Sequence, residues 1–417
     1  MSEFNDKYAV LVTIAENTSM LDECERSLDE LERLLNTAGG ECFAKVIQVK
    51  GKFDPRTCIG KGKVEEIATV CKSNNVSLVI FDFELTPAQI RNLENDIGDV
   101  TVIDRSMLIL DIFALHAVSG EGKLQVELAQ LRYSAPRLTG KGIELSRQGG
   151  GIGSRGPGES KLETDRRHLH EKIVSLEKRL SELEHNRSIM RAQRDRSGLT
   201  KVALVGYTNA GKSTLLNKIT GADVIAEDKL FATLDPTTRK MELETGESIL
   251  ITDTVGFIRK LPHHLVKAFK STLDEVVYAD ILLLVSDIND PEVSEHLDVT
   301  KNVIEELGAS DKPIIYVYNK CDLTEGVSHA VLSDNSICLS AKTGNGIDIL
   351  LNMISDEINK GKREYSLLIP YTEQGALNQL YNTYNVTSVD YIEDGIAVKV
   401  VLDRKGSGQY SKYIRGD

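Results

Sequence analysis

The stretch KVALVGYTNAGKSTLL, at residues 201–216, decides the fold of this 417-residue chain. An apolar, β-branched run leads into the pattern GxxxxGKS and an amphipathic segment follows, so the stretch predicts a strand, a phosphate-binding loop and a helix. Glycines allow backbone N–H groups to surround phosphates, Lys212 supplies a cation to the β and γ oxygens, and the Ser213 hydroxyl is a ligand for Mg²⁺. The predicted nucleotide-binding residues of this loop are Gly206, Tyr207, Thr208, Asn209, Ala210, Gly211, Lys212 and Ser213.

The segment SILITDTVG, at residues 248–256, ends a further predicted strand with an acid and a glycine. We expect Asp253 to hold the metal through its water shell and the Gly256 N–H to approach the γ-phosphate. Together with Lys212, these two residues are the predicted catalytic groups. The predicted nucleotide-binding residues of the segment are Asp253, Thr254, Val255 and Gly256.

Two later segments specify the base. PIIYVYNKCD, at residues 313–322, ends in Asp322, whose carboxylate can accept hydrogen bonds from guanine N1–H and the exocyclic amine. Adenine would leave that charge unpaired, so the pattern predicts a guanine nucleotide. ICLSAKTG, at residues 337–344, supplies backbone groups that can contact the base oxygen. The predicted contacts are Asn319, Lys320, Cys321, Asp322, Ser340, Ala341 and Lys342.

The chain before the phosphate-binding loop divides into two predicted domains. Over residues 1–119, strands and helices alternate, which predicts an N-terminal α/β domain with a parallel sheet. Over residues 120–199, leucines at heptad-like spacing lie on both sides of RQGGGIGSRGPGE, residues 147–159, which holds six glycines. Two apolar stripes predict an antiparallel coiled helical hairpin with the glycine-rich loop at its tip.

Two further domains complete the predicted architecture. Residues 200–362 are expected to form a P-loop domain, a mostly parallel sheet with helices on both faces. Residues 363–417 predict a small α+β domain without recognisable chemistry. Its end, RKGSGQYSKYIRGD, is rich in Gly, Ser and basic residues, so we expect a frayed tail.

Composition limits the function classes. The net charge of −13 argues against a protein that coats nucleic acid with its whole surface, so any RNA contact should be local. The six cysteines form no CxxC pair, which argues against zinc and disulfides and suits a reducing, cytoplasmic location. No export signal and no membrane span are recognised, and we expect a monomer.

Several motifs together resemble the HflX family of ribosome-associated GTPases. These are GYTNAGKSTL, LFATLD, DTVGFI, GGGIGSRGPGES and the helical hairpin, and the resemblance covers residues from about 8 to 358. It implies that the nucleotide is GTP or GDP with Mg²⁺. It also implies that the GTP-bound protein binds the large (50S) ribosomal subunit and its rRNA, inserts the glycine-rich loop near the peptidyl-transferase centre, and splits stalled or idle 70S ribosomes into subunits.

The segment LFATLDPTTRK, at residues 230–240, is the candidate for switch I. From the residues alone, Thr233, Thr237 or Thr238 could each close over the γ-phosphate and complete the Mg²⁺ shell. The family resemblance places the ligand at Thr233, so the predicted metal ligands are Ser213 and Thr233. The same resemblance adds to the nucleotide site the residues Phe231, Ala232, Thr233, Leu234 and Asp235.

The residue that directly follows DxxG is Phe257, where many GTPases carry a glutamine that orients the attacking water. We therefore expect slow intrinsic hydrolysis and two candidate sources of help. The first is K⁺ held by Asn209, as in related cation-dependent GTPases. The second is a ribosome that orders switch II, roughly residues 253–264. The pair His263 and His264 is more typical of a surface loop than of a general base.

The glycine-rich loop is predicted to contact RNA. Glycines would allow it to enter a narrow cavity, and its arginines can neutralise phosphates or stack on bases. The predicted basic contacts are Lys141, Arg147, Arg155 and Lys161.

Two alternative functions follow from other classes. An ATP-driven enzyme that remodels ribosomal RNA would need a second nucleotide site, but GKGKVEEI at residues 60–67 is a loop-to-helix entry without P-loop spacing. A non-catalytic scaffold would use bound GTP only for stability, and negligible turnover in the presence of ribosomal subunits would favour it.

Overall fold

The computed structural model describes residues 8–138, 157–196, 199–221, 230–231, 233–260, 270–324, 330–360, 362–402 and 404–414. Within these ranges the chain forms a mixed α/β fold with three separate sheets of four, seven and three strands. The predicted fold class, α/β with a parallel-sheet domain followed by a P-loop domain, is confirmed.

The first sheet is entirely parallel, as the alternation of strands and helices predicts. Its strand order is β2-β1-β3-β4, and helices α1–α4 follow the strands in turn. Leucines of α1 and α4 are buried against one face of the sheet, while residues of α2 and α3 pack on the other. The elements are β1 (Tyr8–Ala15), α1 (Leu21–Thr37), β2 (Glu41–Val49), α2 (Lys61–Asn74), β3 (Leu78–Phe81), α3 (Pro87–Ile97), β4 (Thr101–Asp104) and α4 (Arg105–His116).

Two long helices follow, α5 (Gly120–Leu138) and α6 (Pro157–Arg196). The 40 residues of α6 extend for about 60 Å at 1.5 Å per residue. Leu124 and Leu128 of α5 pack with Leu176 of α6. Arg187, late in α6, pairs with Glu121 at the start of α5, so the helices run antiparallel. Most of the glycine-rich loop lies outside the described residues, and so do Lys141, Arg147 and Arg155.

The second sheet has the strand order β10-β11-β9-β8-β5-β7-β6. The edge strands β6 and β10 are antiparallel to their neighbours and the other pairings are parallel. The carboxyl ends of β5, β7 and β9 therefore meet at one edge, where the sequence motifs end. The elements are β5 (Thr200–Gly206), α7 (Lys212–Thr220), β6 (Thr237–Glu242), β7 (Ser248–Asp253), α8 (Lys270–Tyr278), β8 (Ile281–Asp287), α9 (Val293–Glu306), β9 (Ile314–Asn319), β10 (Ala330–Ser333), β11 (Ser336–Cys338) and α10 (Ile347–Asn359).

The last sheet has three antiparallel strands in the order β12-β14-β13, and here one expectation is wrong. The chain end is not a frayed tail over residues 404–414, because Tyr410 and Tyr413 are buried in the core of this small domain. Their aromatic area outweighs the flexibility that Gly and Ser suggest. The elements are β12 (Arg363–Ile369), α11 (Gln374–Thr383), β13 (Asn385–Ile392), β14 (Gly395–Leu402) and α12 (Arg404–Gln409), with a 3-10 turn at Ser411–Tyr413.

In the part of the chain that the structure describes, no helix combines the length and the apolar character that crossing a bilayer requires.

A buried ionic cluster joins the first domain to the P-loop domain. The Arg105 guanidinium donates to Asp82 over 2.7 Å, pairs with Glu30, and donates to the Arg259 carbonyl over 3.3 Å. The Lys260 ammonium donates to the same Asp82 over 2.7 Å. The Asp82 side chain is fully buried and that of Arg105 is 3% exposed, so each charge depends on its partners.

We expect Arg105→Ala to lower the free energy of unfolding by about 3 kcal/mol, because it leaves two buried carboxylates with fewer cations. Urea unfolding followed by circular dichroism measures the loss. The matched control is Arg56→Ala, which removes an exposed arginine that pairs with Asp96 and should cost under about 1 kcal/mol. Equal losses of unfolding free energy in the two variants would contradict the conclusion that the buried Arg105 cluster stabilises the fold.

Candidate functional site

The phosphate-binding loop lies between β5 and α7, as the GxxxxGKS pattern predicts. At its centre the Lys212 ammonium donates to the carbonyl oxygens of Gly206 and Tyr207, over 3.2 and 2.9 Å. Burial lowers the pKa of Lys212 to about 8. The lysine is therefore already held in the loop at the place where it can meet phosphate oxygens.

Three oxygen-bearing side chains converge at the start of α7. Ser213 Oγ lies 2.9 Å from Thr233 Oγ1 and 2.6 Å from Asp253 Oδ2, and Thr233 Oγ1 lies 3.2 Å from the same carboxylate oxygen. Mg²⁺ has octahedral ligands at about 2.0–2.1 Å, so adjacent ligands are about 2.9 Å apart. The Ser213–Thr233 spacing fits such a metal.

Two further observations agree with a cation at this position. Asp253 Oδ1 is buried and has no hydrogen-bond partner among the described residues. Burial also raises the pKa of Asp253, so a positive charge nearby would stabilise the ionised form. Of the three candidate threonines, Thr233 is the one that reaches Ser213, whereas Thr237 and Thr238 begin β6 and Thr238 bonds to Thr252.

The segment that ends β7 closes over the loop. A methyl group on Gly256 would lie 2.7 Å from the Thr208 Cα and 2.9 Å from the Lys212 ammonium, so this glycine is in direct contact with the loop. Thr254 donates to the Leu204 carbonyl over 2.6 Å, which fixes β7 to β5. Val255 is buried.

The predicted base-binding residues also lie together. Asn319 Nδ2 donates to the Ala210 carbonyl, and its Oδ1 accepts from the Ala341 N–H, both over 2.9 Å. Ser340 donates to Asp322 over 2.6 Å and orients that exposed carboxylate. Asn319 thereby links the phosphate-binding loop to both base-side segments. Of the remaining predicted contacts, Cys321 is buried within its 3-10 turn, Lys320 pairs with Asp287, and Lys342 is exposed.

Several residues predicted for the nucleotide site face the N-terminal half of the chain instead. The Phe231 ring packs on Phe113 with 4.7 Å between ring centroids, and Leu234 is buried in the same core cluster. The Asp235 carboxylate accepts from backbone N–H groups of residues 118 and 119. The structure thus gives these three side chains partners in the N-terminal half of the chain, and their contacts with the nucleotide stay predictions. Ala232, His263 and His264 lie outside the described residues.

Tyr207 contacts both domains. Its backbone carbonyl accepts a hydrogen bond from the Lys212 ammonium. Its side-chain hydroxyl donates to Glu30 over 2.6 Å and accepts from the Arg259 N–H over 2.7 Å. Its ring stacks on His296 with 3.7 Å between centroids. Sequence analysis missed Glu30 and His296, because neither lies in a motif and only the fold brings them to the loop.

Phe257 is fully buried at the back of the loop. Its N–H donates to the Gly206 carbonyl over 3.1 Å, and its carbonyl accepts from the Thr208 N–H over 2.8 Å. The side chain is therefore packed in the core and offers no polar group to a water molecule, as its residue type indicates.

Comparison with known proteins covers most of the chain. Three family models match: "GTP-binding GTPase N-terminal" over residues 25–114, "GTP-binding GTPase Middle Region" over residues 116–194, and "50S ribosome-binding GTPase" over residues 201–320.

Curated relatives match at similar breadth. GTPase HflX from Caldanaerobacter subterraneus subsp. tengcongensis is 50% identical over 391 residues, which is 94% of this chain and 90% of the relative. GTPase HflX from Lacrimispora saccharolytica is 48% identical over 394 residues, 94% and 93% of the two chains. Among solved structures, a GTP-binding protein from Sulfolobus solfataricus in complex with GDP is 25% identical with a TM-score of 0.44, and the match covers 84% of this chain and 98% of that one.

We expect Gly211→Ala to weaken nucleotide binding severely, by at least about 100-fold, because the new methyl would lie 2.3 Å from Asn319 Nδ2 and displace the residue that joins loop and base side. Titration with a fluorescent GDP analogue measures this. Gly221→Ala is the matched control: both glycines have positive φ, 88° and 65°, but nothing lies within 4 Å of a methyl at Gly221. Equal losses would show that backbone strain, and not the contact, causes the effect.

Proposed function

This chain belongs to the HflX family of GTPases, and we propose that its GTP-bound form binds the large ribosomal subunit and splits stalled or idle 70S ribosomes into subunits. The chain is a GTP-hydrolysing enzyme that uses a guanine nucleotide with a divalent metal. The match of residues 201–320 to a family described as a 50S ribosome-binding GTPase supports the partner. A cytoplasmic location follows from that partner.

The observation that supports a nucleotide-dependent switch is the distance of 2.9 Å between Thr233 Oγ1 and Ser213 Oγ. We propose that Ser213 and Thr233 hold Mg²⁺ and that Asp253 holds it through water. Thr233 lies in a connecting segment outside the regular elements, so loss of the γ-phosphate can release it. Bound nucleotide would then determine the conformation of switch I.

The remaining roles follow from position. Lys212 neutralises the β and γ oxygens, and the Gly256 N–H is placed to reach the γ-phosphate. Asp322 accepts from the guanine edge, while the Asn319 amide keeps the two sides of the site at a fixed distance. These assignments describe binding and charge stabilisation, and none of them supplies a group that orients the attacking water.

The chain lacks, at the position after DxxG, a side chain that orients the attacking water, and this is the contribution that we propose for the ribosome. Phe257 is buried and apolar, so intrinsic hydrolysis is slow and the protein remains in its GTP form until it meets a ribosome. Hydrolysis then follows binding and acts as a release signal. The glycine-rich loop, between the helices α5 and α6, is the part of the chain that we propose enters the RNA.

Purified protein should co-sediment with 50S subunits in a non-hydrolysable GTP analogue but not in GDP. GTP turnover should rise at least about tenfold on addition of 50S subunits, because partner-supplied groups commonly contribute more than that to GTPases. Equal turnover with and without subunits, or equal sedimentation in both nucleotides, would overturn the proposal.

The control is a chain that lacks residues 149–158. It should bind GTP normally, since the phosphate-binding loop lies in another domain, and should fail to split 70S particles in a sucrose gradient. Normal splitting would show that the loop is only a connector between the helices.

We further propose that Asn209 holds a K⁺ ion that takes part in charge stabilisation beside the phosphates. Turnover should then be modestly faster in KCl than in NaCl of equal ionic strength, and Asn209→Ala should remove the difference. Equal rates in the two salts for the unmodified chain would end the hypothesis.

A further inference from the structure

Switch I is fixed to the rest of the protein on both sides of Thr233. Two residues before it, Phe231 is buried against Phe113 of α4. Two residues after it, Asp235 is bonded to the residues that lead into α5. Phe231 has a φ of 57°, in the region that L-residues rarely adopt. Such a backbone conformation persists only where surrounding contacts impose it, so these contacts hold the segment in its position.

The Asp235 carboxylate binds the amino-terminal end of the hairpin helix. Its Oδ2 accepts from the N–H groups of Val118 and Ser119, over 3.0 and 2.8 Å, and its Oδ1 accepts from the Ser119 hydroxyl. Ser119 in turn accepts from the Gly122 N–H over 2.8 Å. A carboxylate at this end of a helix satisfies orphan N–H groups and the positive end of the helix dipole.

Gly122 shows how close this contact is. A methyl group on Gly122 would lie 2.6 Å from Asp235 Oδ1 and 3.0 Å from the Ser119 hydroxyl. The Asp235 carboxylate therefore fits against α5 only because residue 122 is a glycine and has no side chain. A change in α5, outside the P-loop domain, can consequently displace switch I.

We propose that Asp235 is a positioning residue of the GTPase reaction: by anchoring switch I to the start of α5, it holds Thr233 at the metal. The inference rests on the proposed metal role of Thr233 but not on any ribosomal partner. Because the two contacts share one short segment, metal binding by Thr233 and docking of Asp235 on α5 strengthen each other. The start of the hairpin thereby senses whether GTP or GDP is bound.

The decisive variant is Gly122→Ala. The new methyl would displace the Asp235 carboxylate, so a merely structural role of this contact predicts a lower melting temperature with the affinities for both nucleotides changed equally or not at all. The positioning role predicts that the affinity for a non-hydrolysable GTP analogue falls about tenfold while the affinity for GDP changes less than twofold, because Thr233 contacts the metal only in the GTP state. Titration calorimetry with both nucleotides measures the ratio.

Gly120→Ala is the matched control, since it lies in the same helix two positions earlier with nothing within 4 Å of the new methyl. It should bind both nucleotides as the unmodified chain does. If Gly122→Ala behaves like this control, or loses both affinities equally, the inference is overturned.

Asp235→Ala tests the same contact from the other side. In the unmodified chain, the amides of residues 118–122 should exchange hydrogen more slowly with the GTP analogue than with GDP, and Asp235→Ala should abolish that difference. Thr233→Ala separates this inference from the proposed metal role. If Thr233→Ala lowers the ratio but Gly122→Ala does not, only the positioning role fails; if Thr233→Ala changes nothing, both fail.

Discussion

The burial of two carboxylates, Glu30 and Asp82, constrains the rest of the structure. Neither can remain charged away from water without donors, and the first domain supplies only part of them. Arg105 bonds both acids, but the Tyr207 hydroxyl completes Glu30 and the Lys260 ammonium completes Asp82. The buried charges of the first domain therefore have all of their partners only when the P-loop domain is in place. Separating the two domains would expose one of these acids to water or leave it buried without all of its partners.

This cluster occupies the place where parallel α/β sheets usually bind ligands, beyond the carboxyl ends of the strands. Asp82 follows β3 directly, and Arg105 begins α4 after β4. The crevice between them contains the Arg259 carbonyl and the Lys260 side chain. The first domain thus holds, in the position where such sheets bind ligands, the segment that follows Gly256 of the second domain.

Sequence reasoning predicts which residues the fold brings together wherever those residues stand in short local motifs. Lys212, Ser213 and Asp253 stand in short motifs at strand ends, and parallel pairing brings such ends together without further information. The contacts between domains could not be predicted from the sequence, since Tyr207 and Glu30 are 177 positions apart and Asp235 and Ser119 are 116 positions apart. A single polar contact leaves no periodic trace in a sequence. The sequence predicts nucleotide contacts for Phe231 and Asp235 because they adjoin Thr233 in the family's motif, and it gives no sign of their contacts with the N-terminal half of the chain.

These anchors bear on how hydrolysis is triggered. Three segments around the candidate site each have a fixed point in the amino-terminal half of the chain: the phosphate-binding loop through Tyr207, the candidate switch I through Asp235 and the candidate switch II through Lys260. A partner that only ordered residues 253–260 would add little, because bonds within the chain already hold them. The Phe257 side chain is buried and has no polar group with which to orient an attacking water. We therefore expect a partner or a bound cation to supply a charge or a hydrogen-bonding group to the site.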